Sequence, residues 1–430
     1  MAPAEAPIPT KPKGPIGDRL DDSVLAHLPS DCQVLSITPS GQSLWAETVR
    51  IRVRHSNGRI EELFKKAATG QIGRNMMKGS YEAESALHDA IPGYVPRPVA
   101  WGTYSADPQT HFYMCEFVDM LDDVPSARQW GSAVAALHLG SMGNSPDGRF
   151  GFQTTTHLAN VPVDNTWSRS WEECWTRQMK SLFDEDERRH GPDEEFAKLK
   201  AAFLAEVIPR YLRPLETNGR SIQPCLIHSD LWPGNVKPRV DSTDVCLFDP
   251  CAYWGHNEAD LGICRNPRYR LGPAYMREYW KHVPISQPEQ DFDGRNTVYA
   301  FKFHLLLSIL YYKDRRFRKI ATDEMRELVK KVQLEKEELE KEELKKERLK
   351  KEELEKEAPE KEEPEKEELE KRELEKGELE KGELEKGELE KGELEKEKLE
   401  KGEPEEGDME EASFKASLCL PIYQTSSSKL

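Results

Sequence analysis

Residues His228–Asn235 read H-S-D-L-W-P-G-N and have the spacing H-x-D-x-x-x-x-N. A short apolar run, Cys225–Ile227, comes directly before it. A second apolar run, Val245–Phe248, follows and ends in Asp249. Each run is consistent with a short buried strand, and loops that leave a rigid strand commonly carry functional residues. The pattern therefore predicts that polar side chains from two strand ends converge in one cleft.

These residue types are the ones that phosphoryl transfer from ATP requires. The protein supplies mainly position and charge neutralisation to that reaction. Asp230 is the candidate to accept the proton of the acceptor hydroxyl, and Asn235 and Asp249 are candidate oxygen ligands for Mg²⁺. His228 is predicted to fix the loop by hydrogen bonding. The competing interpretation is a surface loop in which Asp and Asn are turn residues.

The region upstream predicts a small lobe that binds the phosphates. Thr48–Arg54 alternates at period two, Asn57-Gly58 is a hairpin signal, and Ile60–Lys66 is the returning strand. A kinase-type lobe needs a phosphate-binding lysine on such a strand. Lys65 and Lys66 both qualify, and because adjacent strand residues face opposite sides, one of them points into the cleft.

Other features of the small lobe follow from the same layout. A helix is predicted around Ser80–Ala90, and Glu82 or Glu84 on it is available to orient the lysine. The backbone of Glu116-Phe117-Val118, where a buried strand leaves the lobe, is expected to meet the adenine. Ser40-Gly41-Gln42 is a weak signal for a phosphate-covering loop, since it contains one glycine.

Composition excludes several classes of protein. The 430 residues include 62 Lys+Arg and 79 Asp+Glu, a net charge of −17. Residues 331–412 carry 36 acidic and 20 basic residues, so the segment 1–330 has a net charge of only −3. No polybasic stripe supports nucleic-acid binding, and no apolar run is long enough to span a membrane. The N-terminus lacks the apolar region of a secretory signal, and the eight scattered cysteines fit reduced intracellular thiols.

The expected fold is therefore α+β, a two-lobed protein-kinase-like fold with a low-complexity charged C-terminal tail. The small N-terminal lobe is rich in sheet, and the larger C-terminal lobe is mostly helical. The expected division of the chain is a flexible arm at 1–17, an ATP-binding lobe at 18–120, a catalytic lobe at 121–332, a charged spacer at 333–412 and a tail at 413–430.

The sequence resembles the fructosamine kinases, also called ketosamine or protein-ribulosamine 3-kinases, of the aminoglycoside-phosphotransferase branch of the kinase-like fold. The resemblance covers about residues 35–330. Its most specific part is Gly255–Leu261, which reads G-H-N-E-A-D-L. Further matching segments are His228–Asn235, Phe248–Pro250, Lys66–Gly70, Ile91–Pro98, Trp101–Tyr104, Arg268–Arg270 and Asp293–Asn296.

The resemblance implies ATP-dependent phosphorylation of the 3-hydroxyl of a sugar attached to a lysine amine, in free ketosamines or in glycated proteins. The 3-phosphate makes the adduct unstable and frees the amine, which is deglycation. By motif position Asp230 is the proton acceptor, Asn235 and Asp249 bind the metal, and Lys66 rather than Lys65 binds the phosphates. Trp232 is a candidate stacking surface for the sugar or, equally, a packed core residue.

The resemblance also covers three polar residues of the G-H-N-E-A-D-L stretch. His256, Glu258 and Asp260 are expected to brace the catalytic loop rather than touch substrate.

Two positions depart from the family pattern. The helix glutamate of the family usually sits where this chain has Ser80, so either Glu82 or Glu84 substitutes or the Lys–Glu pair is lost. Ser229 replaces the more usual glycine of H-G-D, a change that we expect to be tolerated.

Two other functions compete with this one. A phosphotransferase for an aminoglycoside or a choline-like alcohol is opposed by the G-H-x-E-x-D-L stretch. A catalytically weak pseudokinase whose tail binds partners is opposed by the retention of Asp230, Asn235 and Asp249.

The tail consists of pentads that read KEELE and then KGELE. A five-residue period turns the leucines by about 140° at each step, so no coiled-coil seam forms, and the glycines weaken a helix. We expect a solvated spacer, part single helix and part disordered. The chain ends Ser428-Lys429-Leu430, which predicts recognition by the peroxisomal import receptor; the alternative location is the cytoplasm.

Overall fold

The computed structural model describes residues 19–41 and 43–357. The chain divides into two units, Met1–Glu343 and Leu344–Leu430, and both lobes described below belong to the first unit. The predicted arm at 1–17, most of the charged spacer and the Ser428-Lys429-Leu430 end lie outside the described residues.

The N-terminal lobe is built on a five-stranded antiparallel sheet with the strand order β1-β2-β3-β5-β4. The predicted hairpin joins β2 to β3, and Gly58 at its turn has φ +82°, a conformation that glycine adopts without strain. The elements of this lobe are α1 (Asp22–Leu25), β1 (Gln33–Pro39), β2 (Glu47–Arg54), β3 (Ile60–Thr69), α2 (Gly70–Ala90), β4 (Pro98–Thr103) and β5 (Thr110–Glu116).

The two faces of this sheet are covered by different segments. Val49, Ile51 and Val53 of β2 alternate onto one face and pack with Leu20 and Val24 from the N-terminal segment. The opposite face packs against helix α2. The residues buried between them include Ala68, Tyr113 and Cys115 of the sheet and Met76 and Met77 of the helix. The period-two alternation seen in the sequence thus separates the two covered faces.

Helix α2 begins ten residues before the predicted start at Ser80. The glycines of the segment 70–79 disfavour a helix when judged by propensity alone, but two of them are required by close packing. A Cβ at Gly73 would lie 2.7 Å from the carbonyl carbon of Ala68, and a Cβ at Gly79 would lie 2.6 Å from the carbonyl oxygen of Thr155. Tertiary packing therefore overrides the local preference.

The C-terminal lobe is mostly helical and holds the larger hydrophobic core. Trp130, Trp171 and Trp175 are fully buried in it. Its helices are α3 (Ala127–Ser141), α4 (Trp171–His190), α5 (Glu194–Ala202), α6 (Ile208–Leu212), α7 (Pro273–Tyr279), α8 (Phe292–Leu310) and α9 (Arg315–Glu357). The two-lobed α+β architecture predicted from the sequence is confirmed.

Short strands in this lobe carry the motifs. Strand β8 pairs antiparallel with β11, and β9 pairs antiparallel with β10. A further two-stranded hairpin consists of β6 and β7. The bounds are β6 (His157–Leu158), β7 (Val161–Pro162), β8 (Cys225–Ile227), β9 (Val236–Pro238), β10 (Val245–Leu247) and β11 (Tyr253–Gly255).

Helix α9 runs through the predicted boundary between catalytic lobe and spacer. Its buried apolar residues lie between Ala321 and Val332, whereas Leu334 and Leu339 are 49% and 56% exposed. The buried apolar side chains of this helix thus end at Val332, although the helix continues and Glu335 still accepts from Arg210 at 2.9 Å. In the second unit, Leu344 and Leu349 on the same helix are also exposed.

A search of residues 19–41 and 43–357 finds no helix that combines the length and the apolar character needed to cross a membrane.

A buried ion pair links the 3₁₀ segment Asn257–Arg265 to helix α8. Arg295 and Glu258 are 0% and 1% exposed, and their closest contact is 2.9 Å. The guanidinium also donates to the carbonyl oxygens of Ser286 and Pro288, each at 2.8 Å. Both charges are therefore satisfied inside the core.

We expect Arg295→Met to lower the free energy of unfolding by about 3–5 kcal/mol, because the carboxylate of Glu258 is left buried without a partner. The measurement is urea unfolding. The matched control is Arg265→Met, which removes the exposed pair Arg265–Asp293 and should cost no more than about 1 kcal/mol. Equal losses in the two variants would contradict the importance of the buried pair.

Candidate active site

The predicted catalytic loop folds back on itself at the end of strand β8. The side-chain amide of Asn235 donates to the Oδ2 of Asp230 at 2.9 Å and to its backbone carbonyl at 3.0 Å. Asn235 is buried, whereas Asp230 is partly exposed. The amide nitrogen therefore holds the carboxylate of Asp230 in a fixed orientation. The amide oxygen of Asn235, its Oδ1, is left for another ligand.

Asp249 comes to the same place from strand β10. Because β10 pairs with β9, which follows Asn235, the ends of the two strands lie together, and the N–H of Phe248 donates to the carbonyl oxygen of Asn235 at 3.1 Å. Asp249 has a φ of +54°, which is strained for a residue other than glycine. Its side chain is 57% exposed and faces the opening of the cleft.

The two carboxylates influence each other's ionisation. Burial and the negative charge of Asp249 raise the pKa of Asp230 to about 7, against the opposing effects of Lys302 and Asn235. Burial would also raise the pKa of Asp249. The ammonium of Lys66 has the larger effect in the opposite direction, so the pKa of Asp249 is lowered. The site thus holds one carboxylate that titrates near neutrality and one that stays ionised.

The predicted lysine reaches this site from the other lobe. The ammonium of Lys66 forms an ion pair with Asp249, a contact across 183 positions of the chain. Lys66 lies on the sheet face that α2 covers. Lys65 lies on the opposite face, 5% exposed, and bonds to the hydroxyl of Tyr104. The choice of Lys66 over Lys65 thus agrees with the geometry.

Glu82, one of the two glutamates that the sequence offers for this lysine, lies at the surface. Its carboxylate accepts a bond from Gln153 at 3.5 Å, at the surface. Two residues along a helix are about 200° apart, so Glu84 points to the other side, where it is 2% exposed and interacts with the charge of Lys66. Burial raises the pKa of Glu84 to about 7, and the Lys66 charge opposes that rise. Of the two glutamates, Glu84 is thus the one whose charge acts on Lys66.

The segment Glu116-Phe117-Val118, where an adenine contact is predicted, begins at the end of strand β5. The N–H of Phe117 donates to the carbonyl of Glu62 at 3.0 Å, and the guanidinium of Arg50 stacks on the Phe117 ring at 4.1 Å. The N–H of Val118, two residues after the end of β5 at Glu116, has no hydrogen-bond partner within the described ranges.

The weakly signalled loop Ser40-Gly41-Gln42 lies between β1 and β2. The N–H of Ser40 donates to the carbonyl of Thr48 at 3.1 Å, and Gly41 has φ +74°. Gln42 lies outside the described residues.

His228 braces the loop, as predicted. Its Nδ1 accepts from the N–H of Asp230 at 3.3 Å, and its Nε2 lies 3.1 Å from the carbonyl of Phe248. Burial lowers the pKa of His228, which favours the neutral ring that both bonds require. One imidazole therefore ties together the two loops that carry the carboxylates.

Asp260 fixes the loop from behind. Its two carboxylate oxygens accept from the backbone N–H groups of His228 at 2.8 Å and Ser229 at 2.7 Å, and His138 lies 3.1 Å away. Burial would raise the pKa of Asp260, but these bonds and the interaction with His138 lower it.

His256 and Glu258 act at a greater distance from the loop. His256 contacts the hydroxyls of Tyr299 at 2.9 Å and Ser286 at 2.8 Å, and Glu258 pairs with Arg295. Burial lowers the pKa of His256 to about 4. These two residues brace the lobe rather than the loop itself.

Trp232 lies on the catalytic loop and is 41% exposed, which excludes the packed-core alternative. Its ring lies 6.2 Å from the ring of Tyr269 at an angle of 48°. It also folds over Gly234, where an added Cβ would lie 2.1 Å from the indole. Two aromatic faces thus stand beside Asp230.

Sequence reasoning missed Lys302, a buried lysine of helix α8. Its ammonium donates to the Oγ of Ser229 at 2.7 Å and to the Ser229 carbonyl at 3.2 Å. A polar residue that interrupts the apolar run of α8 was the available signal, but only the packing brings it to the catalytic loop.

The donors near Asp230 fit a hard cation. Within residues 19–41 and 43–357, no group of three or more His, Cys, Asp and Glu side chains is arranged to hold a metal ion. Asn235 and Asp249 offer an amide oxygen and a carboxylate, and Mg²⁺ in nucleotide sites typically takes one or two such protein ligands and completes its shell with phosphates and water. These two residues could therefore hold such an ion.

Comparison with known proteins decides the family. The family model for fructosamine kinase matches residues 48–331, about two thirds of the chain. The chain belongs to the fructosamine kinase family. The match includes every site residue discussed above except the loop at Ser40.

Several curated relatives are similar to this fructosamine kinase family member. The "Ketosamine-3-kinase" of Mus musculus is 29% identical over 265 residues, 57% of this chain and 81% of the relative. The "Protein-ribulosamine 3-kinase, chloroplastic" of Oryza sativa subsp. indica is 26% identical over 238 residues, 55% of this chain and 64% of the relative. The latter alignment spans less than two thirds of the rice protein.

Two solved structures support the fold. A candidate fructosamine-3-kinase from Haemophilus somnus 129PT superposes with a TM-score of 0.54 at 15% identity, covering 69% of this chain and 92% of the other. A second, from Thermobifida fusca YX-ER1, has a TM-score of 0.53 at 21% identity and covers 69% and 94%.

We expect Glu84→Gln to weaken ATP binding by about tenfold, or about 1.4 kcal/mol, because the buried carboxyl that acts on Lys66 loses its charge. Glu82→Gln, two residues away on the exposed side, is the control and should leave ATP binding unchanged. Titration calorimetry with a non-hydrolysable ATP analogue measures both. A larger loss in the Glu82 variant would reverse the assignment.

Proposed function

We propose that this protein is an ATP-dependent kinase that phosphorylates the 3-hydroxyl of ketosamines on lysine, with Mg²⁺ as the metal ion. The observation that carries the proposal is the convergence of Asp230, Asn235, Asp249 and Lys66 on one cleft in a chain of the fructosamine kinase family. The names of the mouse and rice relatives support ketosamines as the substrate class. A 3-phosphate destabilises the adduct, so the reaction would free the lysine amine.

Asp230 is the proposed proton acceptor. Its pKa of about 7 lies near the working pH, where a general base is most effective. Asn235 donates to one carboxylate oxygen and so fixes the direction in which the base accepts a proton. The acceptor hydroxyl would lie within hydrogen-bonding distance of this carboxylate.

Lys66 supplies positive charge where the phosphates of ATP would lie. Its pairing with Asp249 leaves Glu84 behind it as a second buried carboxyl that stabilises the ammonium. Mg²⁺, when bound by Asn235 and Asp249, would neutralise charge on the phosphates.

Trp232 and Tyr269 form the proposed wall for the sugar. Aromatic faces suit the C–H side of a sugar ring, and the exposure of Trp232 beside Asp230 supports a role for its ring in binding the acceptor.

The proposal is tested by measuring ADP release with ATP and Mg²⁺ on ribulosyl-lysine, fructosyl-lysine, choline and kanamycin. We expect turnover on the two ketosamines, phosphate on O3 in the NMR spectrum of the product, and subsequent release of free lysine. Turnover confined to choline or kanamycin would replace the proposal by the other phosphotransferase function.

Asp230→Asn keeps the shape of the side chain and removes the base, so we expect turnover to fall by about 10²- to 10⁴-fold. The matched control is Asp244→Asn, an exposed carboxylate at the far end of the β9–β10 hairpin, and it should retain full turnover. Circular dichroism checks that both variants are folded. Undiminished turnover in the Asp230 variant would refute its role as the base.

Gly234→Ala tests the sugar wall without deleting it. The added methyl group would lie 2.1 Å from the Trp232 indole, so the 41% exposed ring must shift. We expect the KM for the ketosamine to rise about tenfold, while the KM for ATP stays the same, since stacking on one aromatic face contributes about 1 kcal/mol or more. A rise in the KM for ATP instead would place Trp232 on the nucleotide side.

A further inference from the structure

Lys302 is a buried cation that the proposed mechanism does not use. It lies in the middle of helix α8 and is 3% exposed, with the buried rings of Phe301 and Phe303 beside it in the sequence. A buried ammonium is costly unless its hydrogen bonds are satisfied. Its partners should therefore account for its presence in the core.

The contacts of Lys302 converge on one residue. The ammonium donates to both the hydroxyl and the carbonyl of Ser229, at 2.7 and 3.2 Å. It also lies 4.9 Å from the ring of Phe303 and 5.7 Å from the ring of Trp175. Among the described residues its hydrogen bonds go to Ser229, and Asp260 and Asp230 act on it through their charge without an ion-pair contact. Lys302 therefore binds the loop backbone rather than an acid.

Ser229 is the residue that turns the catalytic loop. Its φ of +66° is left-handed, which costs about 1–2 kcal/mol for a residue with a Cβ. Its N–H is held by Asp260 at 2.7 Å, while its carbonyl and hydroxyl are held by Lys302. The next residue is Asp230. The turn is thus clamped from two sides directly before the proposed base.

The serine and the lysine explain each other. A glycine at this position would adopt the left-handed turn without strain, but it has no hydroxyl to accept a bond from Lys302. The serine adds strain, and a hydrogen bond from a charged donor can offset it. A lysine at 302 without the serine would lose its shorter bond.

We propose that Lys302 is a positioning residue, which acts through Ser229 to hold the turn that directs Asp230 toward the acceptor hydroxyl. This inference rests on the proposed function for the identity of the acceptor. The geometry of the clamp does not depend on which alcohol is phosphorylated.

The test is a double-mutant cycle of Lys302→Met and Ser229→Ala in the full chain. A hydrogen bond to a charged group is worth enough to change a rate about 10- to 100-fold. We expect each single variant to lower kcat by at least about tenfold, with the KM for ATP changed less than about twofold. The double variant should be no slower than Lys302→Met alone, because both changes remove one contact.

Rates are compared per folded molecule, well below the melting temperature of each variant. Lys313→Met, an exposed lysine after the end of α8, is the control and should behave as the wild type. If Lys302→Met lowers only the melting temperature and leaves kcat unchanged, Lys302 is a structural residue and the inference is wrong. Independent, additive effects of the two substitutions would also overturn it.

Two further measurements keep the outcome decisive. If Lys302→Met does not fold, Lys302→Gln retains a donor for Ser229 without the charge and should keep more of the kcat than Ser229→Ala does.

If the wild type phosphorylates neither ketosamine, the proposed function fails, and the cycle is run on whichever acceptor is used. Hydrogen exchange of residues 228–235 needs no acceptor, and it should accelerate in both single variants; unchanged exchange would contradict the clamp.

Discussion

The site depends on one buried carboxylate, that of Asp260. It accepts the backbone N–H groups of His228 and Ser229, two consecutive donors that would otherwise be unpaired inside the C-terminal lobe. A buried unpaired donor costs about 1–3 kcal/mol, so the loop has a strong reason to keep this conformation. With the first two residues of the loop fixed, Asp230 leaves the turn in one direction, and Asn235 meets it five residues later. The G-H-x-E-x-D-L stretch thus determines the geometry of a loop that precedes it in the sequence.

A second constraint is electrostatic. Asp230 and Asp249 are two carboxylates in one cleft, and each disfavours ionisation of the other. Positive charge reaches them from two directions: Lys66 from the N-terminal lobe pairs with Asp249, and Lys302 from helix α8 approaches from the interior. The Lys66–Asp249 contact also joins the lobes. The ion pair that brings positive charge to the site therefore also holds the two sides of the cleft together. Strain at Ser229 and Asp249, both at positive φ, is concentrated in these same loops, as is common where a backbone must present a reactive group.

The sequence allowed much of this to be predicted. The motif at 228–235 and the apolar run before Asp249 identified the candidate base and the two candidate oxygen ligands, because short apolar runs followed by polar loops are local signals. Period-two alternation placed Lys66 and Lys65 on opposite sides of a strand. The errors came from tertiary packing. Helix α2 starts earlier than expected because Gly73 and Gly79 make close contacts. The choice between Glu82 and Glu84 stayed open because the rotation of that helix against the sheet is not encoded in its own residues.

The motif and its spacing were thus enough to identify the site residues and their order along the chain, since spacing along a strand or loop is a property of local geometry. Which of these residues contact one another depends on how distant segments pack. Lys66 and Asp249 are 183 positions apart, and Lys302 and Ser229 are 73 apart. No periodicity in the sequence relates residues at such separations, and their contact results from the packing of the sheet on α2 and of α8 beneath the catalytic loop.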